Sequence, residues 1–399
     1  MNTNEPYLFI STNEKQISFF VVKFTDEPYF EVLYSDLVKS NGITNGKILD
    51  IDTVSSLIKK NITKIEKKID FTFSKATLIN DQENYNCINV SGFKKLYGSQ
   101  VLDKDISYIL NNVKKLIVDN EPHESIIHLL NSDFILDKTH YKKPPTNLHG
   151  NFYTQHLTFF LLPKNDLKNI KLVLNKCNIN IERVILKSFL KGIKKINKDK
   201  ENEKFSLITI GKSKSNISIF QNSSFVFAEN FSFGSNIILK DISKLCSLDN
   251  KIIENIISNN CIDDISFNTH KYVDKKYFED SAFRKISLEH ISEIARYRIE
   301  EIINLIFKAN INIKDFKNKI DQIYLSFEDP KIFYSLKNTF TDQFPSFNKV
   351  VAEKLTQDEH IDICQVAAEL VGKGWEKEAI PVIQDKKSRI SRLFQAIFN

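Results

Sequence analysis

The sequence predicts an α/β protein of two or more domains, with one hairpin-led unit used twice and an amphipathic helix at the end of the chain. Three observations carry this. At 399 residues the chain is longer than one hydrophobic core ordinarily spans. An apolar strand, a polar turn and a second apolar strand near the N-terminus return about two hundred residues later. The last residues place large apolar side chains at helical spacing among basic ones.

In chain order, Tyr7 to Ile10 reads as a strand, Ser11 to Lys15 as a turn and Ile17 to Val22 as the returning strand. Asp50 precedes a helix whose apolar face is Ile51, Val54, Leu57, Ile58 and Ile62. Asp103 is placed to cap a helix running to about Val118. Ser125 to Leu130, Phe134 to Leu136 and Phe152 to Leu162 read as strands. The second hairpin has Phe205 to Ile210 as its first strand, Gly211 to Ser215 as its turn and Ile217 to Phe220 as its return, with Phe225 to Phe231 as a third strand. Helices follow over Ile237 to Leu245, Lys251 to Ile257 and Leu288 to Phe307. Ile323 to Leu325 is a short buried strand, and Cys364 to Leu370 is helical. Gly372 to Asp385 holds two glycines, the sole tryptophan and Pro381, and reads as a linker.

Composition limits the function classes. Of a net charge of +6, four charges sit at Lys386, Lys387, Arg389 and Arg392, with no acid after Asp385. The rest of the chain is near neutral, which argues against nucleic acid as a partner. The five cysteines are scattered and form no C-x-x-C pair, so neither a disulfide framework nor a zinc site is expected, and a reducing cytoplasm fits. The N-terminus is polar, without the apolar core of a signal peptide, and no apolar run is long enough to span a bilayer. No H-E-x-x-H or G-x-S-x-G spacing occurs. Only ten glycines are present, against the roughly 7% typical of globular chains. Phosphate-binding loops use glycine to bring backbone N–H groups close to an anion, so this scarcity bears on any nucleotide site.

The tail carries the clearest physical signal. Ile390, Leu393, Phe394, Ile397 and Phe398 form one helical stripe, Ser388 is placed to cap it, and the basic residues gather at its start. A helix this short spans only about 20 Å and does not cross a membrane, but its rings suit the interface of an anionic bilayer. The five apolar side chains gain roughly 1.5–3 kcal/mol each at full burial, and each basic residue adds about 1 kcal/mol near anionic lipid. Burial at an interface is partial and a free helix this short is unfolded in water, so binding is expected to be weak, reversible and strengthened by polymerisation. A helix docked on its own domain is the competing reading.

Several segments together resemble the FtsA family, bacterial actin-like proteins that tether FtsZ filaments to the inner membrane. Ser40-Asn-Gly-Ile-Thr-Asn-Gly-Lys-Ile-Leu-Asp50 resembles the stretch after the family's first hairpin. Pro144-Pro-Thr-Asn-Leu-His-Gly150 is similar to a weakened Pro-x-Gly-Met-x-Gly turn. Gly234-Ser-Asn-Ile-Ile-Leu-Lys-Asp-Ile242 resembles the segment after the second phosphate hairpin, and Arg298-Ile-Glu-Glu-Ile302 matches an Arg-x-Glu-Glu-Ile on a long helix. The tail resembles the family's membrane-targeting helix.

The resemblance implies an actin-like, ribonuclease H-like fold of two domains with an inserted subdomain of the FtsA type. It places the first domain at 1–85 and 163–200 and the insertion at 86–162. The second domain falls at 201–235 and 305–371, with an upper subdomain at 236–304. A linker at 372–385 and a membrane helix at 386–399 follow. It also implies self-association into filaments, contacts with later division proteins, and binding of the FtsZ C-terminal tail near 236–304. Arg298 and Glu301 are candidates for that contact, with local ion pairing on a solvated helix face as the alternative. The expected location is the cytoplasmic face of the inner membrane at the division site.

The nucleotide positions depart from the family pattern. Where the first hairpin carries Asp-x-Gly-Thr/Ser, this chain has Ser11-Thr12-Asn13-Glu14. Where the second carries Asp-x-Gly-Gly-Gly-Thr-Thr, it has Thr209-Ile-Gly211-Lys212-Ser-Lys214-Ser215. Where the adenosine motif carries Gly-Gly, it has Ser326-Phe327-Glu328, and the Phe327 ring is expected to fill the nucleotide's space. Metal-assisted hydrolysis needs fixed carboxylates and a positioned water. No catalytic residue, no metal and no cofactor are therefore expected, although ATP and Mg²⁺ are typical of the family. Lys212 and Lys214 gripping phosphate as point charges is the weaker option. The expected function is a binding adaptor, the alternatives being an actin-fold ATPase or an actin-fold scaffold of a pilus or secretion system.

Overall fold

The computed structural model describes residues 5–25, 29–82, 84–198, 203–260, 263, 271–278, 283–355 and 359–381. The expected membrane helix at 386–399 and the last residues of the expected linker lie outside these. The chain divides into two compact units. One comprises Met1–Glu203, Asn222–Phe227 and Asp358–Asn399, and the other Lys204–Gln221 and Ala228–Gln357.

The first unit begins with β1 (Pro6–Thr12), β2 (Gln16–Phe24), β3 (Phe30–Lys39), and the small hairpin β4 (Ile43–Thr44) and β5 (Lys47–Ile48). Helix α1 (Ile51–Ile69) follows, its start fixed by Asp50, whose carboxylate accepts from the Thr53 amide at 3.0 Å. Its buried face is Val54, Ile58, Ile62 and Ile65, so three of the residues read from the sequence pack inward while Ile51 and Leu57 are half-buried at its border. Then come β6 (Lys75–Asn80), β7 (Asn86–Lys95), α2 (Asp103–Asn120), β8 (Glu124–Leu136), β9 (Thr139–Tyr141) and β10 (Phe152–Pro163). Asp103 is the first residue of α2 rather than its cap. Asp105 instead accepts from the Leu102 amide at 2.8 Å and pairs with Lys94 at 2.6 Å. The first run of the unit closes with α3 (Lys164–Asn175), β11 (Asn180–Leu186) and α4 (Lys187–Lys198).

The second unit holds β12 (Lys204–Ile210), β13 (Ser215–Gln221), part of β14 (Ser224–Phe231), α5 (Asn236–Cys246), α6 (Asn250–Asn259) and α7 (Leu288–Ile303). The long helix read to Phe307 changes at Asn304 into one π-helical turn, Asn304–Lys308. After it come α8 (Lys314–Lys317), β15 (Gln322–Phe327), α9 (Pro330–Thr341) and β16 (Lys349–Lys354). The chain then returns to the first unit with α10 (Glu359–Lys373) and β17 (Glu378–Pro381).

Two of the three large sheets have the same order. One runs β3-β2-β1-β6-β11 and the other β14-β13-β12-β15-β16. In each, a first strand pairs antiparallel with the next strand in sequence and parallel with a later one. The repeated hairpin of the sequence is thus the start of a repeated sheet. The third sheet, β17-β8-β10-β7 with β9 on β8, is built from Asn86 to Pro163 plus the C-terminal strand. Its buried side, with Leu129, Tyr153, Leu157 and Phe159, packs on Ile109, Leu110 and Ile117 of α2.

The segment 372–385 was expected as a linker, and here the structure differs. Gly374, with φ +74°, ends α10 by donating its amide to Leu370 O at 2.8 Å, so the glycine terminates a helix instead of loosening a tether. Trp375 lies edge-on to Phe189 and donates Nε1–H to Ser223 O at 2.9 Å. Glu378 to Pro381 then pairs with β8, proline being tolerated because this is an edge strand.

Candidate functional site: closed hairpin turns and a locked C-terminal strand

In the first unit the β1–β2 turn closes on a side chain. Asn13 donates its amide to Gln16 O at 3.1 Å, and its Oδ1 accepts from the Lys15 and Gln16 amides, both at 2.8 Å. An Asx turn of this kind uses the side chain where a phosphate hairpin offers free amides. Ser11 is buried one residue before the end of β1, opposite Ile79 of β6. Glu14 leaves the turn and accepts from the Asn45 amide at 3.3 Å.

In the second unit the β12–β13 turn closes on backbone. The Gly211 amide donates to Lys214 O at 2.9 Å. The two amides at the start of α5, Ser235 and Asn236, donate to Gly211 O and Lys212 O at 2.8 and 2.9 Å. The helix end that would attract an anion is therefore satisfied by the turn's own carbonyls. Two glycines allow this approach. A Cβ on Gly211 would stand 2.6 Å from Lys214 O, and one on Gly234 would stand 2.3 Å from Gly211 O. Thr209 is buried in β12, and Lys212 pairs with Asp329 at 3.5 Å. Asp329 in turn caps α9 through the Lys331 amide at 2.9 Å.

Phe327 differs from the expectation. Its ring is fully buried, with centroids 5.0 Å from Phe340 and 6.0 Å from Phe333. It belongs to the core under β15 rather than to open space, because α9 turns back over the strand and offers an aromatic pocket. Arg298 and Glu301 also find local partners. Arg298 donates Nη1–H to Glu301 Oε2 at 2.6 Å and Nε–H to Asp241, tying α7 to α5. Among the described residues no group of three His, Cys, Asp or Glu is placed to hold a metal ion. No helix among them is long and apolar enough to cross a membrane.

A further cluster was not legible in the sequence. Glu378 of β17 is buried and forms an ion pair with Arg183 of β11. Its other oxygen accepts from His128 of β8 at 3.1 Å. The Leu186 amide donates to His128 Nε2 at 3.1 Å, which leaves the proton on Nδ1, facing Glu378. Burial disfavours the charged imidazole and holds its pKa below the usual range. Burial also opposes the Glu378 charge, but Arg183 and the His128 N–H outweigh it and pull the carboxyl down to about 2. Next to it Lys377 is buried and donates Nζ–H to Lys142 O at 2.5 Å, while Ala379 is fully enclosed.

The comparisons with known proteins bear on the whole arrangement. The cell division protein FtsA of Buchnera aphidicola from Acyrthosiphon pisum is 22% identical over 303 residues, which is 74% of this chain and 72% of that one. FtsA of Bacillus subtilis is 26% identical over 250 residues, 61% of this chain and 55% of its own length. The chain is a divergent relative of FtsA. No protein-family profile matches it. In the PilM-PilN type IV pilus biogenesis complex, a chain sharing 10% identity superposes with a TM-score of 0.53, covering 93% of this chain and 97% of its own. That likeness concerns the fold, which is the actin-like α/β fold. The two hairpins read from the sequence are present as β1–β2 and β12–β13, with Ser11, Asn13 and Thr209 at or beside their turns.

Proposed function

We propose that this chain is a cell-division adaptor of the FtsA kind that works without ATP hydrolysis. It binds FtsZ, associates with copies of itself and with other division proteins, and holds this assembly on the cytoplasmic face of the inner membrane through residues 386–399. The observation that carries the nucleotide part is the closure of both hairpin turns. The amides of Lys15, Gln16, Gly211, Ser235 and Asn236 are each taken by an acceptor of the protein. A triphosphate would have to break those bonds to gain its own, and the magnesium-orienting carboxylates are absent from Ser11 and Thr209. Lys212, the cation best placed to replace them, already faces Asp329. The pilus-scaffold alternative rests on fold alone, whereas sequence relatedness runs to FtsA.

The test is calorimetric titration of the full chain with Mg-ATP. The expected dissociation constant is weaker than about 1 mM, less than ~4 kcal/mol of binding free energy. A saturable, magnesium-dependent isotherm in the low micromolar range would contradict the proposal.

A further inference from the structure

We propose that the first unit carries a binding site for a small phosphate monoester, between the end of β7 and the first turn of α2. The site shares no residue with either hairpin turn. It is a cleft of about 420 Å³, within the range of small-molecule pockets, and Lys94, Lys95, Lys104, Gln100 and His149 line it. Among the described residues Asp105 is the one carboxylate in that lining. Three lysines against one carboxylate leave a surplus of two positive charges, close to the charge that a phosphate monoester balances at neutral pH. Lys94 is already committed, since its Nζ donates to buried Asp105 at 2.6 Å and lies 5.0 Å from the centre of the Tyr108 ring. Lys95 lies 5.8 Å from the centre of the Phe152 ring, and Lys104 is exposed in the first turn of α2. Neither has a carboxylate partner among the described residues. A ligand phosphate thus gains two ammonium groups without breaking an existing ion pair.

The walls are fixed before a ligand arrives. The Leu96, Gly98 and Val101 amides donate to Asn151 O, Gly150 O and Leu148 O at 2.7, 3.0 and 2.9 Å, which ties the segment after β7 to the one before β10. Tyr97 and Gly98 turn the chain there with φ +53° and +83°. His149 donates Nδ1–H to Gly98 O at 2.9 Å, which leaves Nε2 to accept a P–O–H proton. Walls held in this way spare binding an ordering cost. A second observation comes from the interior. Tyr153 of β10 stands opposite Lys94 of β7, on the same face of the sheet, and is fully buried. Its hydroxyl has no hydrogen-bond partner in the protein. Burial, and after it the charge of Asp105, hold that hydroxyl's pKa above the usual range. Hydrogen-bonding capacity is therefore left over beside the Lys94–Asp105 pair, where a phosphate and its hydration can use it. Leu96 and Leu102 line the same cleft, which suits an apolar body on the phosphate.

The test is calorimetric titration of the full chain with phenyl phosphate, inorganic phosphate and benzoate. Phenyl phosphate is expected to bind saturably and about tenfold more tightly than either of the others, because it alone has both the double charge and the apolar body. Lys95→Gln and Lys104→Gln should each weaken it by about tenfold. Both side chains are exposed, so thermal unfolding of these variants should match that of the parent. Lys94 is left in place, because removing it would strand the buried Asp105 carboxylate. Lys115→Gln, on the same helix but outside the cleft, should leave binding unchanged. Three results overturn the site: benzoate or inorganic phosphate binding as tightly as phenyl phosphate, binding that ignores Lys95 and Lys104, or no saturable binding up to about 10 mM. Weakening by Lys212→Gln in place of the cleft variants also overturns it, and puts the phosphate at the turn that the proposed function holds closed.

Discussion

Replacing Glu378 with alanine is expected to destabilise the first unit by about 3–5 kcal/mol, because it leaves Arg183 buried without its counter-charge. The cost is that of an uncompensated charge, not the net worth of the pair. Removing both charges in an Arg183→Met, Glu378→Leu variant should accordingly recover much of the loss. Recovery stays incomplete, because the His128 Nδ1–H then lacks an acceptor, a cost of about 1–3 kcal/mol. The readout is convenient: Trp375 is the only tryptophan and sits at the base of β17, so its fluorescence in urea follows this region. A single-variant loss under about 1 kcal/mol would show that the cluster is solvated and not a lock.

The same cluster sets an acid response, with a definite sign. His128 is held below its usual pKa in the folded protein, so protonation favours the unfolded chain once pH drops below about 6.5. Glu378 is depressed to about 2, so its contribution is complete above its unfolded value of 4.5 and is lost as pH falls from there toward 2. Both terms loosen β17 on acidification and neither does so on moderate alkalinisation. Amide exchange at Glu378 to Ile380 should quicken between pH 6 and 4 relative to β12, whose pairing involves no such buried ion pair.

Phe394→Ser together with Phe398→Ser is expected to weaken binding to anionic vesicles by about 10- to 150-fold. Each ring gains roughly 1.5–3 kcal/mol at full burial, and an interfacial helix realises about half of that, which gives ~1.5–3 kcal/mol for the pair. The charges at Lys386, Lys387, Arg389 and Arg392 remain in this variant, so its residual binding should be electrostatic and vanish at high salt. A helix docked on its own domain predicts the opposite pattern, with unchanged vesicle binding and lowered stability.

What the sequence made legible were features whose signal is local. The hairpins are apolar runs broken by polar turns, and α1 shows its face and its Asp50 cap within a few residues. The residue types at Ser11 to Glu14, Thr209 to Ser215 and Ser326 to Glu328 are read directly, and only the resemblance makes them the expected nucleotide positions. The way the turns close was not legible, because it depends on Asn13 Oδ1 and on Gly234 meeting a turn distant in sequence. The C-terminal strand was misread for the same reason. Gly372, Gly374 and Pro381 look like breaks, and Lys377 and Glu378 look like solvent-facing charge. Only the partners Arg183, His128 and Lys142 turn those charges inward, and no spacing in the sequence announces them. Phe327 reads as an obstruction until α9 supplies Phe333 and Phe340 around it.

The most direct measurement is co-sedimentation of FtsZ with anionic vesicles, comparing the full chain with one ending at Asp385, with and without Mg-ATP. The account predicts that the full chain carries FtsZ into the pellet, that the shortened chain carries none, and that nucleotide changes neither result. FtsZ pelleting equally with both versions, or only when ATP is added, would contradict it.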